Sequence, residues 1–190
     1  MVSRKRRAQG HRNGANLLAF VCGSSGSGKT TTIRNAGIDA LGADVLRASE
    51  ILIRIGRPIN DLSSEDIDKN QDLLFDWLAN HTRAESRYVI DAHLIIRSKT
   101  REGIPVSEAL LRTVPLGGFI MIRDRPHALL KRTQSKVSDI SVDELQSLVD
   151  QEEQYAKRLA QSLHVQFRNV RAFDSARLRT VLRRMFAGKY

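Results

Sequence analysis

Hydrophobic and polar positions divide this chain into short apolar runs separated by longer amphipathic segments. The short runs are bounded by polar residues or glycine, which predicts buried β-strands. In the intervening segments apolar side chains recur every three or four positions, as in helices that pack on a core by one face. Strands that alternate with helices predict an α/β fold with a five-stranded parallel sheet and helices on both faces. We expect the strand order 2-3-1-4-5, which the alternation itself does not determine. The predicted strands are residues 17–22, 44–46, 88–90, 118–122 and 164–167.

Helix boundaries are marked by local capping signals. Two Ser-x-x-Asp/Glu capping boxes, at residues 63–66 and 141–144, predict the starts of two long helices. Asp174 or Ser175 is expected to cap the last helix, which carries an apolar stripe and a set of outward arginines. Residues 97–117 are basic and contain prolines and glycines, so they predict an excursion over the mouth of the site. The remaining helices are predicted at residues 29–41, 48–54, 107–112 and 126–134.

The segment that joins the first strand to the first helix carries the motif G-x-x-x-x-G-K-[ST] at residues 23–30. Its glycines let the backbone approach a ligand, and its amides can point inward as a nest for phosphate oxygens. A flexible Gly/Ser linker is the alternative, but linkers do not sit between a buried strand and an amphipathic helix. The motif therefore predicts a P-loop NTPase three-layer sandwich that binds ATP and Mg²⁺. The predicted cofactor-binding residues are Gly23, Ser24, Ser25, Gly26, Ser27, Gly28, Lys29, Thr30 and Thr31.

Within this loop, two side chains have distinct expected roles. Lys29 is expected to reach the β- and γ-phosphates, and the Thr30 hydroxyl to ligate Mg²⁺. Asp91 follows the apolar run 88–90, at the sheet edge where α/β proteins place their chemistry. We expect Asp91 to hold Mg²⁺ through water or to orient the nucleophile; a cap for the following turn is the alternative. His93 is either a loop histidine or a polar contact to the phosphoryl acceptor.

Charge and cysteine content indicate which binding partners and which cellular location to expect. Lys and Arg number 31 against 21 Asp and Glu, a net charge of +10, which favours polyanionic partners such as nucleotides, RNA or DNA. Residues 1–16 contain no acid and predict a disordered basic arm, either a solubilising tail or a contact for nucleic acid or an acidic protein. The single cysteine, Cys22, permits no internal disulfide and favours the cytoplasm. No apolar run reaches the roughly 20 residues of a membrane span, so no membrane association is expected.

The chain resembles the nucleoside monophosphate kinases, and among them the archaeal-type adenylate kinases, from residue 17 to about residue 185. The resemblance rests on the phosphate loop, on Val-Ile-Asp-Ala-His at 89–93, and on the helix around Gln-Glu-Glu at 151–153. It implies a single kinase-like domain over residues 17–190. Within that domain it implies a monophosphate-binding segment at about 47–82 and a short lid at about 132–141.

The same resemblance implies roles for individual residues. In the lid, Lys136 begins the sequence Lys-Val-Ser-Asp, where these kinases usually carry an R-x-R-D segment. Lysine supplies charge without the planar fork of arginine. Either of two lid residues, Lys136 or Arg125, the second of which has no counterpart in the family, is expected to act with Arg132 on the transferred group. The implied assignments are Lys29, Asp91 and Arg132 for catalysis, Thr30 and Asp91 for the metal, and Ser49, Arg54 and His93 for the acceptor.

These observations favour ATP·Mg²⁺-dependent phosphoryl transfer to a nucleoside monophosphate. Positioning and electrostatic stabilisation suffice for that reaction, without a covalent intermediate. A second hypothesis is an ATP-binding, slowly hydrolysing module that engages RNA, DNA or a protein through its basic surface. A third is a kinase that acts on a nucleic-acid end or another large phospho-acceptor, because a short lid would leave the site open. The sequence identifies neither the acceptor nor the oligomeric state.

Overall fold

The computed structural model describes residues 18–83, 85–133 and 141–188. The basic arm predicted over residues 1–16 lies outside the described residues, as does most of the predicted lid, including Lys136. In the part of the chain that the structure describes, no helix is long and apolar enough to cross a membrane.

A five-stranded parallel sheet forms the centre of the molecule, and a separate two-stranded antiparallel hairpin lies beside it. The strand order in the large sheet is β2-β3-β1-β6-β7, which confirms the predicted order of the five sheet strands. The hairpin is formed by β4 and β5. The strands are β1 (Leu18–Cys22), β2 (Ala43–Arg47), β3 (Arg87–Asp91), β4 (Ile95–Arg97), β5 (Gly103–Pro105), β6 (Leu116–Arg123) and β7 (Gln166–Arg171).

Helices connect the sheet strands and cover both faces of the sheet. Capping boxes open the two long helices at Ser63 and Ser141, as predicted, and the Asp174 side chain accepts a hydrogen bond from the Arg177 amide to cap the last helix. The helices are α1 (Lys29–Asn35), α2 (Ala48–Arg54), α3 (Ser64–His81), α4 (Glu108–Leu111), α5 (Pro126–Thr133), α6 (Val142–Ser162) and α7 (Ser175–Phe186), with a 3₁₀ turn at Asp39–Leu41.

Two apolar clusters, one on each face of the sheet, make the fold a three-layer sandwich. Alternate residues of β1 face opposite sides: Phe20 lies in one cluster and Val21 in the other. Helices α3 and α6 pack on the Phe20 side, and α1 and α7 pack on the Val21 side. Both faces of β1 are therefore buried, which explains its continuous apolar sequence.

The first helix is shorter than predicted. It ends at Asn35 rather than continuing to residue 41, because the chain turns at Gly37. The φ angle of Gly37 is +60°, a left-handed conformation that an α-helix does not tolerate. The 3₁₀ turn at Asp39–Leu41 then carries the chain into β2.

The last sheet strand begins later in the chain than the predicted strand at residues 164–167. His164 and Val165 lie in the turn that follows α6, where their amides donate to the carbonyls of Gln161 and Ala160. Strand β7 begins only at Gln166 and extends to Arg171. Its exposed polar residues interrupt the apolar pattern, so a search for apolar runs does not find its full length. The predicted excursion at 97–117 likewise contains a short element that the pattern missed, since β4 and β5 pair as a hairpin across it.

Candidate functional site

A cavity of about 560 Å³ opens at the carboxyl ends of β1 and β3. This is the sheet edge where open α/β folds bind their ligands. The phosphate loop and Asp91 line one end of the cavity, and side chains of α2 and α3 line the other. The structure thus brings the two strongest motifs of the sequence to one site.

Gly23, the first residue of the phosphate loop, has no room for a side chain. A Cβ atom there would lie 2.6 Å from the carbonyl oxygen of Ile122 in β6, and its φ angle is +140°. Both the neighbouring strand and the backbone conformation therefore require glycine at this position. The loop leaves β1 in a fixed direction as a result.

Ser27 in the phosphate loop has a buried hydroxyl that no group among the described residues satisfies. The residue also lines the cavity. Buried hydroxyls are normally hydrogen-bonded, so an unpartnered one facing a cavity fits a phosphate oxygen as acceptor. This observation supports the predicted phosphate-binding role of the loop independently of the motif.

Lys29 is buried at the base of the same loop, where its Nζ atom donates to the Gly23 carbonyl at 2.6 Å. Burial lowers the pKa of Lys29, while the carboxylates of Glu152 and Asp91 oppose that shift. The charges of both carboxylates therefore help to stabilise the buried ammonium group. A further anion, such as a phosphate, would offset the cost of its burial.

The two residues predicted to serve the metal lie in direct contact. The Thr30 hydroxyl donates to the Asp91 carboxylate at 2.7 Å. Asp91 is the last residue of β3 rather than the first residue beyond it, and it is only 9% exposed. A hydroxyl and a carboxylate oxygen side by side are ligands that suit Mg²⁺, so these residues fit the predicted ion.

Arg132, at the end of α5, reaches back over the phosphate loop. Its Nε atom donates to the Gly26 carbonyl at 2.8 Å, and its guanidinium pairs with Asp124. The guanidinium also lies over the ring of Phe173, 5.2 Å from the ring centroid. Arg132 lines the cavity, which places its charge beside the predicted phosphate site.

Phe173 is a site residue that the sequence analysis missed. Its ring lines the cavity, is half exposed, and lies close to Gly28, where an added Cβ would sit 3.0 Å from it. Its φ angle is +67°, which is uncommon for a bulky residue, and its amide donates to the Thr32 hydroxyl at 2.9 Å. An exposed aromatic ring held in a strained conformation beside a phosphate loop indicates a ligand contact.

The other half of the cavity is mainly apolar. Ser49 lines it, as the sequence predicts for an acceptor-binding residue. Arg54 is exposed and is not among the described residues that line the cavity; Arg47, at the end of β2, lines it instead and pairs with Glu50. The apolar lining includes Leu52, Leu62, Leu74, Phe75, Ile96 and Val106.

Two buried amides in this half are held by the protein itself. The Asn70 side chain accepts from Arg57 and donates to the Pro58 carbonyl. Gln71 accepts from the Ser107 amide and donates to the Pro105 carbonyl. These amides fix the cavity wall to the segments around it, which leaves the acceptor half with little polar surface.

His93 lies at the junction of the two halves and lines the cavity. The charge of Lys29 and burial lower the pKa of His93 to about 3. The imidazole is therefore neutral at neutral pH and offers one donor and one acceptor. Arg125, the other residue predicted for the lid, is exposed and is not among the described cavity-lining residues.

No family model matches this sequence, and no curated protein matches it significantly. Solved structures do match in fold. A gluconokinase from Sinorhizobium meliloti is 16% identical, with a TM-score of 0.53, and the match covers 93% of this chain and 94% of that one. A shikimate kinase from Acinetobacter baumannii, in complex with shikimate, is 14% identical with a TM-score of 0.59, covering 90% and 93%.

A third match is a chain of the Pnkp1/Rnl/Hen1 RNA repair complex, 16% identical with a TM-score of 0.52. That match covers 80% of this chain and 48% of the other. Identities this low speak to the fold alone, and they do not single out the archaeal-type adenylate kinases. Together with the phosphate loop, these matches show that the chain has the α/β fold of P-loop kinases.

Proposed function

We propose that this protein transfers the γ-phosphoryl group of ATP, in the presence of Mg²⁺, to a nucleoside monophosphate. One observation carries the proposal: the phosphate loop and the Thr30–Asp91 pair open into a cavity of about 560 Å³ that extends well past them. An ATPase needs room for a water molecule only, whereas this cavity has room for a second substrate beside the phosphates. The kinase neighbours support the same reaction class.

The residues of the phosphate end supply the chemistry that phosphoryl transfer needs. Ser27 and the loop amides bind phosphate oxygens, and Lys29 offsets their charge. Thr30 and Asp91 hold Mg²⁺, which when bound adds positive charge beside the phosphates. Arg132, anchored on the Gly26 carbonyl, stabilises charge on the group in transit.

The acceptor half suits a molecule with a flat apolar body and few polar groups. Its apolar walls can bury a nucleobase, because a base buries two large faces and needs few hydrogen bonds. Ser49 and His93 line this half and remain the proposed polar contacts. Arg54 is expected from the resemblance to bind the acceptor phosphate. We propose Arg47 as a second candidate for this role, since Arg47 lines the cavity.

The division of the chain into a basic arm at 1–16, a monophosphate-binding segment at 47–82 and a lid at 132–141 stays part of this proposal. The same holds for Lys136 and Arg125 as lid residues and for a cytoplasmic location. Deletion of residues 1–16 should leave phosphoryl transfer to a small acceptor unchanged if the arm serves another partner.

A coupled assay with ATP·Mg²⁺ tests the proposal directly. The acceptors are AMP, CMP, UMP, GMP and dTMP, with gluconate and shikimate as polyhydroxy-acid comparisons and with no acceptor as the blank. Lys29→Ala is the control variant. Diphosphate formed from one monophosphate, and lost in Lys29→Ala, is the expected result. ATP consumption that is unaffected by every acceptor, or that survives in Lys29→Ala, would contradict it.

A nucleic-acid end is the second candidate acceptor, favoured by the exposed arginines of β7 and α7. One structural neighbour also comes from an RNA repair complex. Transfer of labelled phosphate to a 5′-hydroxyl oligonucleotide, at two salt concentrations, tests this candidate. The exposed arginines are Arg168, Arg171, Arg177, Arg183 and Arg184.

A further inference from the structure

A buried carboxylate on α6 touches two loops of the site without lining the cavity. Glu152 is 2% exposed, and its Oε1 atom accepts hydrogen bonds from the Gly23 amide at 3.3 Å and the Leu94 amide at 2.9 Å. Gly23 begins the phosphate loop after β1, and Leu94 follows Asp91 by three positions after β3. One oxygen atom thus ties α6 to the two segments that carry the predicted chemistry.

Packing alone does not explain a glutamate at this position. The buried stripe of α6 is otherwise largely apolar, with Val149 and Ala156 flanking Glu152. A carboxylate in such a stripe must give up its hydration, which is unfavourable unless specific partners replace it. Burial raises the pKa of Glu152, while the Lys29 charge and the two amides oppose that shift. The charge is held in place by groups that belong to the site.

Gly23 is fixed from both sides by this arrangement. Its N–H donates to Glu152, and its carbonyl accepts from the Lys29 ammonium at 2.6 Å. A side chain at this position would collide with the Ile122 carbonyl of β6, so only glycine fits between these contacts. His93, next to Leu94, has its Nδ1 atom 4.0 Å from the same Glu152 oxygen. Glu152 therefore holds the backbone segments that position the Lys29 and His93 side chains.

We propose that Glu152 is a positioning residue that holds the phosphate loop and the loop after Asp91 in register, so that both face the transferred phosphoryl group. This inference rests on the proposed function for its kinetic consequence. Its structural consequence does not depend on the reaction: one carboxylate should protect the Gly23 and Leu94 amides from hydrogen exchange with water.

The chain offers a matched control in the next residue. Glu153 is also buried on α6, at 5% exposure, but its partners Arg123, Lys157 and Asn169 belong to the α6, β6 and β7 side of the molecule. Glu153→Gln therefore removes a buried carboxylate from the same helix without touching either loop. Glu152→Gln keeps the size and an acceptor oxygen of the native side chain, whereas Glu152→Ala removes both the charge and the acceptor.

The first measurement is steady-state kinetics with ATP·Mg²⁺ and the best acceptor, with ATP affinity measured separately by calorimetry. Glu152→Ala should lower kcat about 10- to 100-fold and change ATP affinity less than about threefold, since misplaced groups mainly affect the transition state. Glu152→Gln, which keeps the acceptor oxygen, and Glu153→Gln should both retain kcat within about threefold at a temperature where melting curves show all variants folded. An unchanged kcat in Glu152→Ala, or an equal loss in Glu153→Gln, would overturn the proposal.

Amide hydrogen exchange separates this inference from the proposed function. Glu152→Ala should increase exchange at the Gly23 and Leu94 amides at least tenfold, relative to the amides of β6, and Glu153→Gln should not. If the wild-type protein transfers phosphate to no acceptor, the proposed function fails and this exchange result alone decides the role of Glu152. Unchanged exchange at both amides in Glu152→Ala would overturn it in either case.

Discussion

The Thr30 hydroxyl donates a hydrogen bond to the Asp91 carboxylate at 2.7 Å, although the two residues are 61 positions apart in the chain. The contact follows from strand pairing, because β1 and β3 are neighbours and Val21 lies opposite Asp91. Thr30, which follows the loop lysine, therefore contacts the last residue of β3. Two oxygen ligands suited to Mg²⁺ are held together by the sheet before any ligand binds.

Asp91→Asn should lower kcat at saturating Mg²⁺ by about 10²-fold or more, because it removes a negative charge needed to hold the ion while keeping the side chain's shape. Activity as a function of Mg²⁺ concentration measures the effect. Thr30→Ser keeps the hydroxyl and should retain activity within a few-fold, whereas Thr30→Val should not. Asp150→Asn, whose native carboxylate pairs with Arg123, serves as the control. An Asp91→Asn protein with the wild-type Mg²⁺ dependence would contradict the metal assignment.

Phe173→Ala should weaken ATP binding about 5- to 100-fold, since stacking of a base on an aromatic ring contributes about 1–3 kcal/mol. The ring lies beside Arg132, next to Gly28 of the phosphate loop, and lines the cavity, so it is available to stack on a nucleobase. Calorimetry with ATP and with inorganic tripolyphosphate separates the base from the phosphates, and only the ATP affinity should fall.

Two further variants at this position separate the ring from the backbone. Phe173→Asn removes the ring but tolerates the left-handed φ angle, so it should behave like the alanine variant in ATP binding. Phe173→Tyr keeps a ring and should bind ATP as the wild type does. A loss of affinity that is equal for ATP and tripolyphosphate would instead indicate a distorted phosphate loop.

The parts of the site that the sequence predicts are those encoded in short contiguous motifs. The phosphate loop is recognisable because its glycines, its lysine and its threonine are contiguous, and Gly23 has a φ angle of +140° that favours glycine. Asp91 is recognisable because it ends an apolar run. The parallel sheet and the capping boxes likewise follow from the sequence pattern, since strands alternate with helices and Ser63 and Ser141 open the long helices, whereas the strand order does not follow from that pattern.

The residues that the sequence could not supply depend on contacts between distant segments. Phe173 reaches Gly28 from 145 positions away, and nothing near it in the chain distinguishes it from a core phenylalanine. In the sequence, Glu152 is one of several acidic residues on an amphipathic helix. Only the fold shows that its carboxylate accepts a hydrogen bond from the Gly23 amide. The bounds of β7 differ from the prediction because Arg168 and Asn169 are exposed polar residues, which makes the apolar pattern there too weak to fix them.

Arg47 and Arg54 offer a direct comparison of structure-based and sequence-based assignments. Arg47→Ala should raise the KM for the acceptor about 10- to 100-fold, as expected when a hydrogen bond to a charged phosphate is lost, with little change in ATP affinity. Arg54→Ala removes the same kind of side chain from an exposed position on α2 and should change the KM less than about twofold. The opposite ranking would establish the sequence-based role of Arg54 and leave Arg47 as the partner of Glu50.

His93 should remain neutral between pH 8 and pH 5, because the Lys29 charge and burial lower its pKa to about 3. NMR signals of the ring, assigned by comparison with His93→Gln, should therefore not titrate in that range. The unfolded chain binds this proton near pH 6.5 and the folded chain does not, so the stability that His93 contributes is lost as pH falls below about 6.5. His93→Gln should accordingly lose less melting temperature than the wild type between pH 7.5 and pH 5. Lys29→Met should raise the pKa of His93, since it removes the largest cause of the shift. A wild-type ring that titrates near pH 6.5 would show that the Lys29 charge does not reach it.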